Sequence, residues 1–133
     1  IDYALYVAAS VLEDSYTQEF VIKNLCETVN NLHGIYSPTF CHGYAGILGI
    51  LLALENNYNI DVFQSKKIEI VKKIESFYDP EYEFGYWDIE QEKGEYVNYK
   101  KVGLLDGCAG TCLTLLEHYY GSTTSWNNAF LLV

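Results

Sequence analysis

The chain has 133 residues, of which 18 are acidic and 8 are basic, so its formal net charge is −10. Phosphate binding needs basic patches, and this balance therefore argues against a nucleic-acid partner. Every basic residue is a lysine, which excludes an arginine clamp for phosphate or carboxylate inside this chain.

The start of the chain and its apolar runs carry no membrane or secretion pattern. Residue 1 is not methionine, so we expect a processed N-terminus or a piece of a longer protein. No basic segment precedes an apolar run, and no secretory signal is predicted. The longest apolar run, residues 45–54, contains glycines and is too short to span a bilayer, so no transmembrane segment is predicted.

Apolar residues recur at helical spacing along most of the chain. In chain order the sequence first predicts the end of a helix at residues 4–12 and a helix at 18–32 behind an N-cap at residues 14–17. It then predicts a buried helix at residues 43–54, a helix capped by Asp61 and a last helix at residues 105–119. Between the last two, residues 81–102 form a polar and aromatic connection, with a hairpin around Gly94. An apolar tail at residues 126–133 is expected to dock on the last helix.

The helix after Asp61 is predicted to be amphipathic. Val62 and Ile68 are among the apolar residues that we assign to its buried face. The four lysines of this helix are predicted to face water: Lys66, Lys67, Lys72 and Lys73.

Four cysteines are present: Cys26, Cys41, Cys108 and Cys112. An even count is compatible with disulfides in a small secreted domain. The helical, core-rich pattern lacks the loop-rich character of a disulfide scaffold, so we expect free or metal-bound thiols in the cytoplasm.

Two helices begin with related sequences. Residues 42–48, His-Gly-Tyr-Ala-Gly-Ile-Leu, align with residues 106–112, Asp-Gly-Cys-Ala-Gly-Thr-Cys. Buried helices alternate with an amphipathic one, a pattern typical of a layered α/α repeat. Chance is the alternative, since Gly-x-Ala-Gly beside leucines is not rare. About five helices are too few for a closed ring, so we expect upstream sequence to complete the core.

Cys41 and His42 are adjacent, where a proline-containing loop meets a buried helix. Helix N-termini carry partial positive charge that stabilises a thiolate. Thiolate sulfur and imidazole nitrogen both suit zinc. From the residues alone, a metal pair and ordinary core or surface residues both remain open.

Residues 37–47, Ser-Pro-Thr-Phe-Cys-His-Gly-Tyr-Ala-Gly-Ile, resemble the Cys-His-Gly motif of the lanthionine synthetase C-like family. Residues 102–110, Val-Gly-Leu-Leu-Asp-Gly-Cys-Ala-Gly, resemble the final glycine-rich repeat of that family. Trp126 and Leu131-Leu132 resemble its C-terminus. The resemblance implies an all-α fold, a partial α/α toroid of alternating inner and outer helices, with residues 1–133 as the C-terminal portion of a cyclase domain.

The resemblance also implies a zinc enzyme. The family binds zinc through two cysteines and one histidine, and the fourth position takes the substrate thiol. Cys41 and His42 match the adjacent ligand pair. The other cysteine ligand is expected just before residue 1, and the acid and base residues further upstream. The isolated chain is therefore expected to be inactive.

The implied reaction adds a peptide cysteine thiol to dehydroalanine or dehydrobutyrine, forming lanthionine rings in a lantibiotic precursor. The implied partners are that precursor peptide, a lantibiotic dehydratase that is separate or fused, and an export transporter, with membrane association through partners. Two alternatives stay open: a non-catalytic glutathione- or peptide-binding relative of the same fold, and an all-α scaffold without metal.

Further candidates have two interpretations each. Asp106 takes the place of His42 in the repeat, and it either hydrogen-bonds a metal ligand or favours a helix N-terminus. Tyr44 either lines the cavity beside the metal or packs in the core. Cys108 and Cys112, spaced i and i+4, can bind metal, but we expect small core residues.

Overall fold

A computed structural model describes residues 1–121, 126–130 and 132 of the chain. It consists of two compact units, Ile1–His33 and Gly34–Val133. The described residues form five α-helices, one two-stranded sheet and one 3-10 helix: α1 (Asp2–Val11), α2 (Ser15–Val29), α3 (Tyr44–Tyr58), α4 (Gln64–Glu75), β1 (Asp88–Glu92), β2 (Glu95–Tyr99), α5 (Cys108–Tyr120) and the 3-10 helix (Trp126–Phe130). Among these helices, none has the length and apolarity that a bilayer crossing requires.

The first unit is a pair of packed helices, α1 and α2. Asp14 caps α2, as predicted, by accepting hydrogen bonds from the Thr17 N–H at 3.1 Å and from the Thr17 hydroxyl at 2.6 Å. Such a cap satisfies a backbone donor that has no partner within the helix. The buried residues recur three or four positions apart on both helices: Tyr3, Tyr6 and Ala9 on α1, and Val21, Leu25 and Val29 on α2.

Helix α3 is the centre of the second unit, and it packs against α4 and α5. Eight of its residues are buried: Tyr44, Ala45, Leu48, Gly49, Leu51, Leu52, Ala53 and Leu54. Exposing such a wide apolar surface to water would be unfavourable in free energy, so neighbouring elements must cover it. The predicted buried helix is confirmed, and it continues to Tyr58.

Helix α4 begins later than predicted, and its buried face differs from the prediction. Its N-cap is Phe63, with no side-chain cap, while Asp61 contributes only its backbone carbonyl, which accepts from the Gln64 N–H at 3.2 Å. Phe63 is held instead by burial in the core. Val62 and Ile68, which we assigned to the core, are exposed.

The exposure predicted for Lys67 is also wrong. This lysine was predicted to face water, but it is buried and forms an ion pair with Glu55 of α3. A buried ammonium needs such a partner to offset its desolvation. The amphipathic pattern alone does not reveal a partner on another helix.

The hairpin predicted around Gly94 is confirmed. Strands β1 and β2 are antiparallel, with Asp88 opposite Tyr99. Lys93 and Gly94 form the two-residue turn with φ of 50° and 89°. Positive φ at both positions matches a type I′ turn, whose twist suits a hairpin. The hairpin fixes the direction in which Asp88, at its base, is presented.

The two helices of the sequence repeat begin in the same backbone arrangement. Gly43 is the N-cap of α3 and Gly107 is the N-cap of α5, both with extended backbone. The loop before each glycine makes the same backbone hydrogen bond to the helix start. These bonds run from the Tyr44 N–H to the Ser37 carbonyl (3.0 Å) and from the Cys108 N–H to the Lys101 carbonyl (3.3 Å).

A second glycine in each helix brings loop and helix into close approach. A Cβ on Gly46 would lie 2.1 Å from the Phe40 carbonyl oxygen, and a Cβ on Gly110 would lie 2.0 Å from that of Leu104. Neither distance leaves room for a side chain. The repeat read from the sequence is therefore a repeated backbone structure.

Candidate metal centre

Cys41 and His42 lie in the loop that leads into α3, and both are exposed. The loop is anchored just before them, because Ser37 and Thr39 are fully buried and their hydroxyl oxygens are 3.0 Å apart. The Cys41 N–H donates to the Leu105 carbonyl at 2.7 Å. The backbone is thus fixed while the two side chains remain accessible.

The two side chains line one cavity of about 390 Å³. The rest of its wall is mostly apolar: Ile35, Phe40, Gly43, Gly46, Ile47, Ile50, Phe130 and Leu132. A few polar groups at an apolar wall are typical of small-molecule and peptide sites. Cys41 and His42 supply a sulfur and an imidazole at this wall.

The C-terminal tail contributes to the cavity. Phe130 packs on Phe40 with ring centroids 4.7 Å apart, and Leu132 is buried. Asn127 donates to Glu117 of α5 at 3.4 Å, which confirms that the tail contacts the last helix. Leu131 lies outside the described residues, as does Val133.

The imidazole of His42 contacts the base of the hairpin. Its Nε2 atom lies 3.1 Å from Asp88 Oδ1 and 3.2 Å from the carbonyl oxygen of Ile89. Asp88 is fully buried. Both contacts involve the same ring nitrogen, so the other nitrogen, Nδ1, makes neither of them.

Lys101 joins three carboxylates around this histidine. Its ammonium lies 2.7 Å from Asp88, 2.6 Å from Glu90 and 3.3 Å from Asp106. The hydrogen bonds to Asp88 and then to Glu90 raise the pKa of Lys101 above its ordinary value. The hydrogen bond from Lys101 also lowers the pKa of Glu90. Lys101 is therefore a cation throughout the neutral range.

Asp106 and Tyr44 differ in how they are connected to Cys41 and His42. Asp106 contacts Lys101, so it is linked to His42 through Lys101 and Asp88. Tyr44 is buried, and its hydroxyl donates to the Ile35 carbonyl at 3.1 Å. These contacts fit the packing interpretation of Tyr44.

The cysteines of α5 are not core residues. Cys108 is half-buried and Cys112 is exposed. The buried face of this helix consists of Gly110, Thr111, Thr114 and Glu117. Helix α5 buries only one side, and the thiols of Cys108 and Cys112 lie outside that side.

The donor set fits zinc in part. A thiolate and a neutral imidazole are ligands that zinc prefers. Within residues 1–121, 126–130 and 132, no group of three His, Cys, Asp or Glu side chains is arranged to hold a metal. Cys41 and His42 would therefore supply two ligands to a zinc ion, and a third would have to come from elsewhere.

Sequence reasoning missed Asp88 and Lys101. Both lie in the polar connection of residues 81–102, where no periodic pattern distinguishes one carboxylate or lysine from another. The sequence signals for a hairpin indicate that the hairpin exists, but they do not show which of its residues contacts His42.

Comparisons with known proteins agree with the fold and the motifs. The family described as lanthionine synthetase C-like protein matches residues 1–131. The structure is similar to a solved nisin cyclase with a TM-score of 0.73 and 25% sequence identity, over 98% of this chain and 29% of that one. No curated protein sequence matches the chain significantly.

The chain thus spans less than a third of the nisin cyclase that it matches. The likeness confirms the predicted all-α class and the helical toroid fold. The family match covers both glycine-rich motifs and the loop of Cys41 and His42. The chain therefore belongs to the lanthionine synthetase C-like family.

Proposed function

We propose that this chain supplies two zinc ligands, Cys41 and His42, to a lanthionine-forming cyclase. The observation that carries the proposal is that these adjacent side chains, both exposed, line one apolar cavity in a chain of this family. The cyclase named among its structural relatives supports the same reaction class.

The reaction needs an activated thiol. A free cysteine thiol has a pKa of about 8.5 and is mostly protonated at neutral pH. Zinc, when bound, supplies the positive charge that lowers the pKa of a coordinated thiol. In this proposal Cys41 and His42 would hold the zinc, and the thiol that it would activate is a cysteine of a precursor peptide.

The residues of this chain hold and shield the reactants. Cys41 and His42 would hold the metal, and the apolar wall around Ile47 and Phe130 would surround the alkene of dehydroalanine or dehydrobutyrine. A sulfur–carbon bond forms, the carbon–carbon π bond breaks, and the α carbon takes a proton. No oxidant or reductant is required. Holding both groups in one cavity replaces a bimolecular encounter by an intramolecular step.

Several parts of the proposal concern the whole protein. The third ligand and the acid and base residues are proposed to come from sequence before residue 1. The precursor peptide is the proposed substrate, with a dehydratase, separate or fused, and an export transporter as further partners. A cytoplasmic location, with membrane association through partners, is proposed from the free thiols.

The proposal is tested on the full-length protein that contains this chain. Zinc content is measured for the wild type and for Cys41→Ala and His42→Ala, with Cys112→Ala and His33→Ala as matched controls, since both control side chains are exposed. We expect both ligand variants to lose zinc and both controls to retain it. Full zinc occupancy in both ligand variants would contradict the ligand assignment.

A second measurement separates a cyclase from a non-catalytic relative. A test peptide with one cysteine and one dehydroalanine is incubated with each protein, and the remaining free thiol is measured by alkylation and mass spectrometry. A cyclase consumes the thiol without a mass change, and only with its zinc ligands intact. A glutathione-binding relative would retain zinc yet leave the peptide thiol free.

A further inference from the structure

We infer that Asp88 positions His42 through its contact with Nε2, so that Nδ1 is the atom presented to the metal. This inference rests on the proposed zinc site. It extends that site to a residue on a hairpin that follows α4.

The location of the ring proton follows from the acceptors around Nε2. The carbonyl oxygen of Ile89, 3.2 Å away, can only accept a hydrogen bond. The Asp88 carboxylate, which is paired with Lys101, lies 3.1 Å from the same nitrogen and favours a proton on it. Nε2 must therefore carry the proton, and in the neutral ring the lone pair lies on Nδ1, which is the form that a metal binds.

Asp88 is built to stay in place. Its side chain is 0% exposed, and a buried carboxylate is costly unless it is paired. Lys101 supplies the pairing at 2.7 Å on Oδ2, which leaves Oδ1 for His42. The two oxygens thus have separate ion-pair partners.

The hairpin is tied to the same loop that carries the metal pair. The Ile89 N–H donates to the Ser37 hydroxyl at 3.3 Å, and Ser37 is fully buried at the start of that loop. The acceptors of the imidazole and the backbone before Cys41 are therefore fixed relative to each other.

Carboxylate–histidine–metal arrangements orient the ring and raise the basicity of the ligating nitrogen. Asp88 lies 3.1 Å from the proposed ligand, whereas the ion pairs of Glu90 and Asp106 are made with Lys101. Among these carboxylates, the geometry therefore assigns the positioning role to Asp88.

The test uses the full-length protein and two readouts besides activity. Zinc affinity is measured by competition with a chromogenic chelator for the wild type, Asp88→Asn and the control Glu90→Gln, which makes the same change on a neighbouring carboxylate bound to the same lysine. The tautomer of His42 in the metal-free wild type is read by long-range proton–nitrogen NMR correlation at a pH where the ring is neutral.

We expect the Nε2–H tautomer in the wild type, a roughly 10- to 100-fold loss of zinc affinity in Asp88→Asn, and a clearly smaller loss in Glu90→Gln. The Nδ1–H tautomer would overturn the inference even if Asp88→Asn does not fold. Unchanged affinity in a folded Asp88→Asn, while the wild type binds zinc, would overturn it and leave the proposed function standing. Failure of the wild type to bind zinc would overturn both.

Discussion

The loop before α3 and the loop before α5 have nearly the same backbone and different chemistry. Each ends in an N-cap glycine, and each is pressed against its helix at a second glycine. At matching positions the first loop carries Cys41 and His42, while the second carries Leu105 and Asp106. The two loops also contact each other directly, through the hydrogen bond from the Cys41 N–H to the Leu105 carbonyl.

This difference separates scaffold from function. The glycines determine how closely each loop approaches its helix, and they act in both copies. Only one copy presents a sulfur and an imidazole to the cavity. The second copy instead contributes Asp106, whose carboxylate contacts Lys101. The same backbone arrangement therefore carries the proposed zinc ligands in one place and a carboxylate that contacts Lys101 in the other.

Replacing the Cys41 and His42 side chains by side chains like those of the second loop should have the largest effect on zinc binding. In the full-length protein, the double variant Cys41→Leu with His42→Asn should lose zinc completely and remain folded, because both side chains are exposed. Asparagine avoids a second carboxylate beside Asp88. Zinc content and thermal unfolding of the metal-free protein check this. The control, Leu105→Ala with Asp106→Ala, should keep zinc, and equal zinc in both double variants would remove the distinction between the loops.

Filling the second glycine should damage both loops alike. Gly46→Ala and Gly110→Ala each place a Cβ about where a carbonyl oxygen lies, so each should lose about 1–3 kcal/mol or more of unfolding free energy. Urea denaturation measures the loss. Gly103→Ala is the control, since its Cβ meets only the Asp106 side chain at 3.0 Å. Wild-type stability in either variant would show that the loops do not share this packing.

Removing a hydrogen bond between the two regions should have a moderate effect. The buried Thr111 hydroxyl of α5 donates to the Pro38 carbonyl at 3.2 Å. Thr111→Val should cost about 0.5–1.5 kcal/mol and speed amide exchange at Cys41 and Ala45. The control is Thr114→Val, whose hydroxyl bonds the Gly110 carbonyl of its own helix. Equal exchange rates in the two variants would mean that the bond from Thr111 does not stabilise the first loop.

Neutralising the carboxylate of the second loop should have the smallest effect. Asp106 is 45% exposed and lies 3.3 Å from Lys101, and such pairs contribute roughly 0–1 kcal/mol. Asp106→Asn should therefore change stability by less than about 1 kcal/mol and leave zinc affinity unchanged, unlike Asp88→Asn. Chelator competition and urea denaturation provide both numbers. A loss of zinc affinity as large as that of Asp88→Asn would make Asp106 part of the metal site.

The local features of this fold are readable from the sequence, and the long-range pairings are not. Periodicity predicts the helices, the Asp14 cap marks the start of α2, and Gly94 predicts the hairpin turn, because those signals depend on neighbouring residues. The cap expected at Asp61 was wrong. The burial of Lys67 depends on Glu55 in another helix, and the contact of Asp88 with His42 depends on a hairpin that docks far along the chain. No local sequence pattern distinguishes Glu55 or Asp88 from other acidic residues, so these two pairings are seen only in the folded structure.

The most direct measurement is X-ray absorption at the zinc edge of the full-length protein. A site built on Cys41 and His42 predicts sulfur at about 2.3 Å and nitrogen at about 2.0 Å from the metal, with less imidazole scattering in His42→Ala and less sulfur scattering in Cys41→Ala. A zinc spectrum that stays the same in both variants would contradict the assignment of these two residues as ligands.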